Sequence, residues 1–155
     1  MEAHHHSKRN AGEARAAWTW AVPVILLIAL FTYSAAVKLA DFAMFRTQMR
    51  LQPFPPGIGS VLAVLLPAAE LLTAVLLVFK RTQHFGLVLS FIMMFLFTGY
   101  AALALLPFWL RTQCPCGGVL GHLAWPWHLA FNIFFLAITM IASYGSLKER
   151  RQGGS

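Results

Sequence analysis

IGSVLAVLLPAAELLTAVLLVF, residues 58–79, is an unbroken apolar run with one acid, Glu70, and no base. Its length matches the roughly 20 residues that a helix needs to cross a hydrocarbon core. Where no water reaches the backbone amides, a single segment can satisfy them only as a helix. Three more runs, at about 18–40, 85–108 and 124–145, share this character. The connections between them are short and favour antiparallel neighbours, so the expected fold is all-α: a polytopic, four-transmembrane-helix antiparallel bundle.

Composition agrees with this reading. Of 155 residues, 59% are hydrophobic and only 11% charged, which removes the chain from the soluble globular class. A net charge of +7 would suit a nucleic-acid binder, but the Lys and Arg residues sit in tails and connections and form no basic face, so no nucleic-acid partner is expected. The partner that the composition requires is the lipid bilayer. The expected organisation is a polar tail over 1–16, one transmembrane domain over 17–147 and a basic tail over 148–155. His4, His5 and His6 in the first tail receive no role. The first run has three further runs after it and no small-residue cleavage site, so it is read as a retained span rather than a signal peptide.

Charge also gives an orientation. The two tails and the connection after the second run carry eight Lys and Arg, and the other side carries four: Lys38, Arg46, Arg50 and Arg111. The positive-inside rule then puts both termini in the cytoplasm and the last connection on the outer side. The chain's two cysteines lie in that connection, in Cys114-Pro115-Cys116-Gly117-Gly118. Thiols at this spacing can close a small ring disulfide, share a soft metal ion or stay unreacted. Pro115 stiffens the link, and the two glycines permit a turn.

Polar residues in or beside the apolar runs form the rest of the candidate site. Glu70 lies twelve residues past Ile58, about 18 Å along the helix. No base is apparent at its depth, so it is expected to be neutral and to hydrogen-bond a neighbouring helix or serve function. Trp125, His128 and Asn132 share one face of the fourth run at i, i+3 and i+7. His128 can exchange protons with a thiol near neutral pH. His122, inside the cysteine connection, supports the same argument more weakly, and Trp125 and Trp127 read as interfacial anchors. Lys38 and Asp41, at i and i+3, are expected to pair at the headgroup level. Phe42, Phe45, Met49 and Leu51 interleave with Arg46 and Arg50 as in a short interfacial helix, ended by Pro53, Pro55 and Pro56. Phe91, Met93, Met94, Phe95 and Phe97 surround the third run and read as lipid-facing and packing surface. No metal ligands are assigned.

Four local patterns occur together: SAAVKLADF at 34–42, PAAE at 67–70, CPCGGVL at 114–120 and WHLAFN at 127–132. Over roughly residues 17–147 the chain resembles the MauE branch of the DoxX-like integral membrane proteins, in the form common in Bacteroidetes. The resemblance implies a bacterial inner-membrane protein whose cysteine connection faces the periplasm. It also implies a periplasmic thioredoxin-like partner and a part in redox maturation of exported proteins. The arrangement is similar, too, to quinone-linked disulfide oxidoreductases of the vitamin K epoxide reductase type. Those use C-x-x-C, and the C-x-C here leaves the quinone an open question.

The resulting expectation is a thiol-disulfide relay, which as an enzyme would be a thiol-disulfide oxidoreductase: Cys114 and Cys116 exchange with a partner, His128 manages the proton, and Asn132 and Glu70 give polar support. Two other readings stand beside it. One is a non-catalytic scaffold or subunit of a larger membrane complex, with structural cysteines. The other is soft-metal handling by the two thiolates with His122 or His128.

Overall fold

The computed structural model describes the backbone of residues 3–55, 57–105 and 125–152, and the side chains of 21–55, 57–103, 105 and 126–147. Each apolar run becomes one helix. The elements are α1 (Ala3–Ala40), α2 (Phe42–Arg50), α3 (Ile58–Val78), α4 (Gln83–Ala104) and α5 (Trp125–Gln152). Four of them are long and apolar enough to cross a membrane, over Ala21–Ala40, Ile58–Val78, Gln83–Leu103 and Pro126–Leu147. Helix α1 extends back to Ala3, so the polar N-terminal residues continue the helix of the first span.

The spans are apolar on every side, and their inward faces are marked by spacing and residue size. On α3 the buried positions are Gly59, Ala63, Pro67, Glu70, Thr73, Ala74 and Leu77, a stripe stepping by three and four. Val61, Val64, Leu65, Leu71, Leu72 and Val75 face outward. Small residues on the inward stripe let neighbouring backbones approach closely, which replaces the missing hydrophobic drive between helices in lipid. Helix α1 buries Val24, Leu27, Phe31, Ala35 and Lys38 at the same steps, so Lys38 continues the inward face of its helix.

Helix α1 packs on α3 and α5, and α4 packs on the same two. Val24, Leu27 and Phe31 of α1 join Ala74, Leu77, Leu87, Met94 and Ile138 in the main core, towards the α3–α4 turn. At that turn Gly86 lies so close to α3 that a Cβ would stand 2.9 Å from the Leu77 nitrogen. At the opposite end Phe45 and Met49 of α2 pack on Ala63 in a second, smaller cluster.

Helix α2 forms where the sequence pattern placed it, with Asp41 as its N-cap: the Asp41 carboxylate accepts from the Met44 amide at 3.1 Å. Its apolar face does not turn wholly to lipid. Phe45 and Met49 are buried against α3, while Met44 and Leu51 are exposed. Contact is close because position 59 is glycine; a Cβ there would collide with the Met49 carbonyl. Arg50 Nε donates to Ser60 Oγ at 3.0 Å, and Tyr100 of α4 donates to Gln52 just past α2. The first turns of α3 are thus occupied by α2, and α3 overshoots the end of α1.

Candidate functional site

That overshoot decides where Glu70 ends up. Counted from Ile58 it is deep, but the first three turns of α3 run beside α2, so Glu70 comes level with the last turn of α1. Lys38 Nζ stands 2.7 Å from Glu70 Oε1, with Glu70 fully buried and Lys38 nearly so. Ser34, one turn before Lys38, accepts from Lys38 Nζ at 2.5 Å and donates to Glu70 Oε1 at 2.8 Å. The ammonium also lies 5.9 Å from the Phe45 ring centroid and 6.0 Å from that of Phe97, at the outer limit of cation–π attraction.

Two expectations are corrected here. Lys38 does not pair with Asp41, whose carboxylate caps α2. Nor does Glu70 lack a base at its depth: the geometry is that of a buried ion pair with a bridging hydroxyl. The chemical reason is that a lone ammonium and a lone carboxylate each cost far more in a low-dielectric interior than the two held together.

The triad lines a cavity of about 340 Å³ between the two core clusters. Leu30, Phe31 and Met94 bound it on the side of the main core. Phe45, Met49, Phe54 and Tyr100 bound it at the α2 end. Its remaining polar lining includes His128 and Asn132, on the first turns of α5. The structure therefore brings Lys38, Glu70, His128 and Asn132 onto one cavity, where helical spacing had related only the last two and the relay reading had added Glu70. Asn132 Nδ2 donates to the Phe97 carbonyl at 3.4 Å, tying α5 to α4. Met94 and Phe97, expected to be packing or lipid-facing residues, are also cavity wall. Phe91 and Phe95 are exposed, as expected, and so is Trp127.

Two buried polar atoms on this cavity have no hydrogen-bond partner among the described residues: Glu70 Oε2 and His128 Nδ1. All three hydrogen bonds within the Lys38–Ser34–Glu70 triad leave Oε2 untouched. Buried polar atoms are normally satisfied, so these two are groups that a polar ligand in the cavity could meet. Cys114, Cys116 and His122 lie outside the described residues, as does the segment that joins α4 to α5.

Comparison with known protein families matches residues 16–145 to the family described as Methylamine utilisation protein MauE. No curated protein and no solved structure matches the chain.

Proposed function

The chain belongs to the MauE family, and from that premise we propose that it is an inner-membrane thiol-disulfide redox protein supporting disulfide formation in periplasmic proteins. Membership and four apolar helices make it a multi-pass membrane protein of the methylamine-utilisation type. The finer reading has Cys114 and Cys116 as the exchanging pair and a periplasmic thioredoxin-like protein as partner. A partner thiolate attacks the Cys114–Cys116 disulfide, giving a mixed disulfide and one free thiolate. The partner's second thiol then displaces the chain. The partner leaves oxidised, and both cysteines of the chain are left as thiols.

One observation carries this reading. His128, buried in the first turn of the helix that follows the C-x-C segment, lines the cavity that holds the Lys38–Glu70 pair, and its Nδ1 has no hydrogen-bond partner among the described residues. A buried imidazole and a carboxylate on the same cavity are groups suited to taking and passing protons that thiol exchange releases. Family membership alone would suit a docking subunit equally well. A buried ion pair and a buried histidine on one cavity are more than docking requires.

The experiment is mixed-disulfide trapping with single-cysteine variants in intact cells. In Cys114→Ser or Cys116→Ser the remaining thiolate can attack the disulfide of the oxidised partner, the same exchange run backwards, and should accumulate a reducible adduct with a thioredoxin-like protein; only the variant keeping the exchanging sulfur should do so efficiently. Full activity with both cysteines replaced by Ser would overturn the relay in favour of a scaffold. Thiols freed for labelling by a chelator alone would overturn it in favour of a metal site.

A further inference from the structure

A relay that oxidises its partner is left as a dithiol after each turn and needs an acceptor for two electrons and two protons. The cavity suggests where that acceptor sits. Its walls are mostly apolar, and their polar side chains are Ser34, Lys38, Glu70, His128 and Asn132 with the hydroxyls of Tyr33 and Tyr100. Such a combination, mostly apolar with a few convergent polar groups, is that of a small-molecule site. The volume of about 340 Å³ lies within the usual range for such sites. Tyr33 and Leu96 belong both to the lining and to the exposed surface of the spans, so the cavity reaches the lipid-facing side of the bundle. A ligand that enters there must be soluble in the bilayer.

The polar groups narrow the chemistry further. Glu70 Oε2 is an acceptor with no donor among the described residues, which a ligand hydroxyl would satisfy. Lys38 spends two of its three N–H groups on Ser34 and Glu70, leaving one for a ligand oxygen. A phosphate head would meet the carboxylate with like charge, whereas a neutral head that switches between carbonyl and hydroxyl suits both groups. Phe31, Phe45, Phe54, Phe97, Tyr100 and Phe131 give aromatic faces for a flat ring.

We propose that this cavity binds the head of a lipid-soluble quinone and its quinol, with Lys38 donating to the quinone oxygen and Glu70 Oε2 accepting from the quinol hydroxyl. The inference rests on the relay reading for its purpose, and on the cavity alone for its site. The two thiols of Cys114 and Cys116 give up two electrons and two protons and close one S–S bond. The quinone's two carbonyl oxygens take up the protons, and it leaves as the quinol.

Binding is tested apart from turnover on the full chain in nanodiscs, titrated with a decyl-tailed benzoquinone and read by quenching of tryptophan fluorescence. Saturable quenching at one equivalent is expected, unchanged when both cysteines are Ser. Filling the cavity with Leu66→Trp should abolish it. The double variant Lys38→Met/Glu70→Leu, which leaves no buried charge unpaired, should weaken it about tenfold or more, the loss expected for hydrogen bonds to charged groups. Absence of saturable binding in a chain that still captures its thiol partner would overturn the quinone site and leave the relay standing. Binding indifferent to both cavity variants would overturn it as mere partition into lipid. Equal binding of a decyl-tailed alcohol would overturn the ligand class. Quinone binding that survives in a chain shown to capture no thiol partner would support the site and remove the relay.

Discussion

Lys38 and Glu70 form a buried ion pair between α1 and α3, with Nζ 2.7 Å from Oε1 and the Ser34 hydroxyl bridging the two. The residues are 32 positions apart in the chain, and each continues the inward stripe of its own helix. The pair ties the first span to the second on the wall of the cavity.

Breaking such a pair from one side leaves a charge buried without compensation. Lys38→Met or Glu70→Leu alone should each destabilise the bundle by about 3–5 kcal/mol, and the double variant should recover most of that loss. Glu70→Gln keeps the hydrogen-bonding shape but strands the ammonium, so it should cost more than a neutral-to-neutral exchange would. Thermal unfolding in detergent, compared over the four variants as a double-mutant cycle, measures the coupling. Additive single losses would show that the pair holds nothing together.

Helix α2 rests on glycine. Gly59→Ala should push α2 off α3, because the new Cβ would meet the Met49 backbone. The expected outcome is faster protease cleavage within residues 42–56, with the four spans retaining their helix content by circular dichroism. Unchanged protection would mean that the contact between α2 and α3 is not what holds the segment.

If His128 takes a proton from an attacking thiol, His128→Ala should slow partner capture several-fold near neutral pH. The sign of the pH dependence follows from the thiol: the thiolate fraction rises with pH without help, so the defect should shrink in alkaline buffer. A defect of the same size at every pH would assign His128 to packing alone.

Orientation rests on the distribution of Lys and Arg, eight against four. A reporter active only in the cytoplasm should give signal when fused at the C-terminus and none when inserted after Gly118. The opposite pattern would put the cysteines on the reducing side of the membrane and remove the basis of the proposed exchange.

The sequence by itself determined the number of spans, their approximate limits and the short helix after the first. These follow from length, apolar continuity and proline placement, which act within one segment. It also brought His128 and Asn132 together, because they share a face of one helix. Spacing within α1 equally places Ser34 beside Lys38. What the sequence could not decide was which helix each polar residue would meet. Spans apolar on all sides hide their inward faces from hydropathy, and small residues such as Gly59, Ala63 and Ala74 on α3 and Ala35 on α1 are the hint of one. Depth counted along α3 separated Glu70 from Lys38, and the count failed because α2 takes up the first turns of α3 and sets the two helices out of step. The offset between helices, and with it the ion pair, the cavity and the two unmatched polar atoms, was decided by tertiary packing: side chains on different segments, which no periodicity within one segment relates.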